Sequence, residues 1–471
     1  MYNPKSKHAE EFICDEEINA ALRYAREHKN DETELNKILQ QAETYKGLDY
    51  KQVAVLLECD DPKMIQRIHE LAAKIKQHIY GNRIVMFAPL YLSNYCVNGC
   101  EYCAYHHSNC VIKRKKLSQE EIRQEVIALQ DMGHKRLALE TGEDPVNSPL
   151  EYVLDSIHTI YSVKHKNGAI RRVNVNIAAT TVENYRKLKE AGIGTYILFQ
   201  ETYHKPTYER VHPTGPKHNY AYHTEAMDRA MEGGIDDVGI GALLGLYDYK
   251  YDTVAMMMHV RHLEETVGVG PHTISVPRIR RASEVDTNEY QGVPDDAFNT
   301  LVAILRLAVP YTGLIISTRE SKENRAELLR LGISQISGAS STGVGGYIEG
   351  EEEEEDTAQF EVNDQRSLDE IVRWLCEAGY IPSFCTACYR EGRTGDRFMT
   401  LAKAGQICNV CQPNALMTLK EYLMDYASAE TRAAGEKLIE QELQHISNAT
   451  IREKTIANLA AIEQGERDFR F

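Results

Sequence analysis

The chain has 471 residues, 42% of them apolar, and a formal net charge of −16. That length allows one large core with added modules, because single cores stop growing near roughly 250–300 residues. The acidic surplus argues against nucleic acid or an anionic membrane as a main partner, since both need a basic face. No run reaches the ~18–20 apolar residues of a membrane span, and the opening MYNPKSKHAEEF lacks an apolar signal core, so a cytoplasmic location is expected. In that reducing compartment clustered cysteines bind metal or do redox chemistry more often than they form disulfides. Seven of the eleven cysteines fall in two tight groups.

Residues 1–80 read as a helical extension. From 81 to 350, eight β-rich runs alternate with helical stretches: RIVMFAPL, KRLALE, RRVNVNIA, TYILFQ, DDVGIGALL, HTISVPR, GLIIST and SQISGAS. The first helix opens on a capping box, Ser118 to Glu121, and stops at Gly133; others stop at Gly192 and Gly332. Strands spaced by such helices favour right-handed βαβ crossovers, and eight of them predict an α/β fold closed into a (β/α)8 TIM barrel. An open doubly wound sheet is the alternative. The acidic run Gly350 to Asp356 reads as a solvated linker, followed by a module of 351–471 with helices predicted over Leu368 to Ala378 and Leu416 to Leu443.

The segment SNYCVNGCEYCAYHH places Cys96, Cys100 and Cys103 in a Cys-x3-Cys-x2-Cys loop just after the first strand. Three thiolates leave one iron of a cubane cluster open, whereas structural zinc would need a fourth ligand such as Cys110, His106 or His107. The spacing, with Tyr102 before the last cysteine, resembles the radical S-adenosylmethionine (SAM) superfamily. That resemblance implies a 4Fe-4S cluster that binds SAM, and it gives Glu140, Thr141, Gly142 and Glu143 the position of the family's Gly-Gly-Glu segment that meets the SAM amino group. Thr141 stands where that pattern has glycine.

Reactive groups of a (β/α)8 enzyme gather at the C-terminal ends of the strands. Those ends carry Glu201, then Arg278 and Arg280, then Ser317 and Arg319. Arginine's planar fork fits a carboxylate, so Arg319 with Ser317 forms a candidate amino-acid clamp. The motifs FQETYH and SVPRIR resemble those of the tyrosine-cleaving branch of the superfamily. Catalytic roles are expected for Arg319, Ser317, Arg278 and Glu201, and cofactor contacts for Tyr102 and Arg280.

Cys385, Cys388, Cys408 and Cys411 form two Cys-x2-Cys pairs with a spacer suited to a zinc ribbon. The same stretch is similar to the C-terminal segment of the lyases that mature iron-only hydrogenase. That resemblance implies an auxiliary cluster with a labile fifth iron on Cys385, Cys388 and Cys411, with Cys408 a spectator. It also implies a histidine ligand for the fifth iron, and His272, at the start of the sixth strand, is the choice.

The implied activity is cleavage of L-tyrosine to p-cresol and dehydroglycine, then formation of carbon monoxide and cyanide, with L-cysteine as an iron ligand. The implied partners are a ferredoxin or flavodoxin electron donor and the hydrogenase maturation proteins. Two rivals stay open: the thiazole-pathway enzyme that stops at dehydroglycine (2-iminoacetate), and a zinc-ribbon scaffold that binds RNA or protein. The glycines of DDVGIGALLG and SGASSTGVGG are expected to leave room inside the barrel for passage between the two sites. Cys14, Cys59, Cys110 and Cys376 read as ordinary residues.

Overall fold

The computed structural model describes residues 1–287, 290–348, 357–403 and 408–471, with only the backbone of Cys408; the acidic run at 350–356 lies outside the described residues. All eight predicted strands form: β1 (Arg83–Ser93), β2 (Arg136–Thr141), β3 (Arg172–Asn176), β4 (Tyr196–Ile197), β5 (Val238–Gly241), β6 (Thr273–Ser275), β7 (Gly313–Ile316) and β8 (Gln335–Ser337). Each pairs in parallel with the next, and β8 returns to β1 through Val85↔Gln335 and Phe87↔Ser337. The sheet is therefore a closed (β/α)8 barrel, not an open doubly wound one. Helices cover it because parallel strands joined by crossovers leave an apolar outer face that must be buried.

Local signals set the helix limits as the sequence predicts. Helix Gln119–Met132 starts on the capping box of Ser118 and Glu121, and ends at Gly133 with φ 102°. That left-handed angle suits glycine, which has no Cβ to clash. The N-terminal extension contains five helices among the described residues, the longest being Pro62–Tyr80. It packs against helix Asp295–Ala308 on the barrel wall.

The C-terminal region departs from expectation in two places. The predicted run over Leu416 to Leu443 is two helices, Cys408–Asp425 and Ala429–Leu443, because Ser428 accepts the Thr431 N–H and starts a new helix. A ninth strand, β9 (Ile381–Ser383), pairs with β1 at Arg83–Val85. This strand fixes the second cysteine group, since Cys385 follows it by two residues beneath the barrel. Two further ties hold the module there. Lys135, next to β2, forms a buried ion pair with Glu421, and Arg136 donates to the Cys385 carbonyl at 2.9 Å.

Candidate active site and second cysteine site

At the C-terminal mouth, Cys96, Cys100 and Cys103 line a cleft of about 960 Å³, counting its opening, together with Glu140, Glu143, Glu201, Lys217 and Arg319. The cysteine loop lies tightly on β2. A Cβ at Gly142 would stand 2.3 Å from the Tyr95 carbonyl oxygen, so only glycine lets the loop approach. Val97 N–H donates to the Glu143 carbonyl at 2.8 Å, and the Asn98 side chain donates to the Glu143 carboxylate at 2.6 Å.

Two amide side chains approach the sulfurs: Asn98 donates to Cys96 Sγ at 3.7 Å and Gln359 to Cys103 Sγ at 3.6 Å. Burial pushes the Cys103 thiol up to about 11 and the Cys100 thiol higher still. Such thiols ionise near neutral pH only against strong positive charge, which cluster iron would supply. Among the described residues no three His, Cys, Asp or Glu side chains converge on one point as a single ion requires. Three thiols in one loop, two of them met by amide N–H donors, fit a cubane that leaves one iron open.

Below this cleft lies a second space of about 730 Å³ inside the barrel. Glu140, Asn176, Phe199, Arg319, Gln359 and Phe360 line both. The Arg319 guanidinium stacks 3.4 Å over the Phe360 ring and has no hydrogen-bonding or ion-pair partner among the described residues, while its backbone N–H donates to Ser317 Oγ at 3.3 Å. Ser317 lines the inner space with it. Glu201, held at φ 67°, pairs with Lys217 at 2.7 Å, and Lys217 sits 5.6 Å from the Tyr102 ring centre. Tyr102 hydroxyl meets His212 Nε2 at 2.7 Å.

Two expected residues are not brought to this space. Arg278 is spent on Glu320 and on Asp295, the latter at 2.7 Å, and Arg280 meets the same Glu320 at 3.2 Å. Neither lines the cleft or the inner space. Conversely, Asn98, Asn176, Lys217 and Gln359 were missed. Lys217 sits in a one-turn 3-10 helix, Pro216–His218, and Gln359 in a loop, neither with a local signature. Asn176 could have been found, because it is the residue opposite Glu140 on the neighbouring strand.

At the other mouth, Cys385, Cys388, Cys411 and His272 line one cavity of about 850 Å³ with Arg83, Arg136, Tyr389 and Phe398. Tyr389 hydroxyl meets His272 Nε2 at 3.0 Å, Asp237 Oδ1 lies 3.6 Å from Nδ1, and burial lowers the His272 pKa. Ser334 Oγ faces this cavity buried and unpartnered. Ala387 N–H donates to Cys385 Sγ at 3.4 Å. The four residues the sequence singled out here all line this one cavity, and three sulfurs with one imidazole are a donor set of the kind an iron-sulfur centre with an added iron uses.

Comparison with known proteins assigns the class first. The profile of the radical SAM superfamily matches residues 90–260, and that of the Biotin and Thiamin Synthesis associated domain matches residues 275–381. Together they cover most of the barrel just described, and the protein is a radical SAM enzyme.

Relatives narrow the assignment. The 2-iminoacetate synthase of Escherichia coli (strain K12) is 31% identical over 320 residues, 68% of this chain and 82% of that protein. A crystal structure of HydG, a maturase of the [FeFe]-hydrogenase, superposes with TM-score 0.95 at 58% identity over 98% of this chain and 100% of that one. HydG from Carboxydothermus hydrogenoformans gives TM-score 0.84 at 39% identity over 96% and 99%. The chain belongs to the HydG family, whose membership brings use of SAM and iron-sulfur clusters.

Proposed function

We propose that this protein cleaves the Cα–Cβ bond of L-tyrosine to p-cresol and dehydroglycine, and converts the latter to carbon monoxide and cyanide for assembly of the [FeFe]-hydrogenase active site. The observation that carries this reading over a 2-iminoacetate synthase is the lower cavity, where three cysteines and His272 meet at the far mouth of the same barrel.

Cys96, Cys100 and Cys103 would hold the 4Fe-4S cluster, and Cys385, Cys388 and Cys411 with His272 the auxiliary cluster and its fifth iron. When bound, the first with SAM supplies a 5′-deoxyadenosyl radical, and the second supplies an iron, also ligated by L-cysteine, for the diatomic products. Arg319 and Ser317 take the tyrosine carboxylate, and Glu143, held by Asn98, faces SAM. Phe87, Ile197 and Ile315 give the ring an apolar wall in the inner space.

Alternate positions run from the lower cavity to the inner space: Val85, then Phe87 and Pro89 on β1; Arg136, then Ala138 and Glu140 on β2; Gly313, then Ile315 on β7 and Ser317 just past its end. Ala138, Ser275 and Ser337 give the inner space small side chains beside Phe87, Ile197 and Ile315. Of the glycines predicted to leave room there, Gly241 permits close strand packing and leaves space for Phe199: a Cβ there would stand 2.5 Å from the Ser275 carbonyl oxygen and 3.0 Å from the Phe199 ring. A reactive fragment that travelled along these positions would reach the lower cavity without entering bulk water.

The reading implies a ferredoxin or flavodoxin donor, partner maturation proteins and a cytoplasmic setting; no helix among the described residues is long and apolar enough to cross a membrane. Replacing Cys385→Ser with Cys388→Ser should leave p-cresol formation in place and abolish trapped carbon monoxide. Loss of p-cresol with fold and first cluster intact would refute the division between the mouths.

A further inference from the structure

The point where the upper cleft meets the inner space decides which substrate atom faces the radical source. Of the six side chains shared by the two spaces, one is an acid, Glu140, and one a base, Arg319. The other carboxylates of the cleft are engaged elsewhere: Glu143 accepts from Asn98 at 2.6 Å and Glu201 pairs with Lys217 at 2.7 Å. Glu140 has the Asn176 side chain as its hydrogen-bonding neighbour, and burial pushes its pKa up to about 8 despite that bond and despite Arg319. A carboxylate in this position lacks a cation of its own, and a desolvated guanidinium stands unpaired nearby. An α-amino acid brings both missing charges, an ammonium and a carboxylate on one carbon.

We infer that Glu140 receives the α-amino group of the bound amino acid while Arg319 takes its carboxylate, so that the junction orients the zwitterion with its nitrogen toward the SAM cleft. This rests on the tyrosine-lyase reading and revises the family-based expectation for Glu140: Glu143, which lines only the upper cleft, stays with SAM, and Glu140 belongs to the substrate. The arrangement also explains selection for an amino acid over a simple phenol, since removing either charged group leaves one buried partner bare.

The test is anaerobic binding calorimetry on the reconstituted, SAM-loaded protein without reductant, with L-tyrosine, 3-(4-hydroxyphenyl)propanoate and tyramine. Wild-type protein should prefer L-tyrosine to both analogues by at least about tenfold. Glu140→Gln should weaken L-tyrosine and tyramine by about tenfold or more and leave the propanoate within about twofold, with Glu140→Asp intermediate. Arg319→Gln should give the reciprocal pattern. Equal weakening of all three ligands by Glu140→Gln, or unchanged tyramine affinity, would overturn the assignment. Should Glu140→Gln not fold, loss of preference for L-tyrosine over the propanoate in Glu140→Asp decides in favour, and retained wild-type preference decides against. Failure of wild-type protein to bind L-tyrosine would instead refute the lyase reading itself.

Discussion

Among the described residues, three cysteines line each mouth of the barrel, and the two mouths otherwise share little. The upper cleft gathers Glu140, Glu143 and Glu201 with Lys217 and Arg319, charges of both signs suited to zwitterionic ligands such as SAM and an amino acid. The lower cavity has, among the described residues, no carboxylate in its lining; it has Arg83, Arg136 and the aromatic rings of Tyr80, Tyr311, Tyr389 and Phe398. Cationic, carboxylate-free walls suit thiolates and small anionic or neutral ligands of iron. One parallel sheet serves both ends because each strand alternates its side chains, so a change of two residues moves from one chemistry to the next, as in Arg136, Ala138 and Glu140.

Several substitutions can break or sharpen that contrast. The largest effect is expected from Cys100→Ser, which should lower deoxyadenosine and p-cresol output by on the order of 10³-fold or more while the auxiliary centre still loads, as read by chromatography and iron analysis. Next is Glu421→Gln, which leaves Lys135 buried and unpaired and also alters the acceptor of the Asp468 N–H. It should cost about 3–5 kcal/mol in denaturant unfolding and loosen the lower mouth first. Arg319→Ala should raise the tyrosine KM by on the order of 10²-fold, with SAM cleavage in the absence of substrate retained. The smallest is His272→Ala, expected to reduce retained iron and carbon monoxide yield by about 10-fold at unchanged p-cresol rate. If His272→Ala lowered p-cresol as much as carbon monoxide, the two mouths would not be separable.

Much of this contrast was legible in the sequence. The eight strands were visible because apolar, β-branched runs alternate with capped helices, and the cysteine loops because their spacing is local. What escaped depends on contacts distant in the chain. β9 is three residues long and contains Pro382, so neither length nor propensity marks it. The ion pair of Arg278 with Glu320 joins residues 42 positions apart. The partnership of Lys217 with Glu201 follows only from the path of the loop after β4, which no local pattern fixes.

The most direct test of the division between the mouths is electron paramagnetic resonance of the anaerobically reconstituted, reduced protein, with and without SAM. Two cluster signals are expected, of which one changes on adding SAM and disappears in Cys100→Ser, while the other survives that substitution and disappears in Cys388→Ser. A single signal in the wild type, or loss of both signals from either substitution alone, would contradict the account.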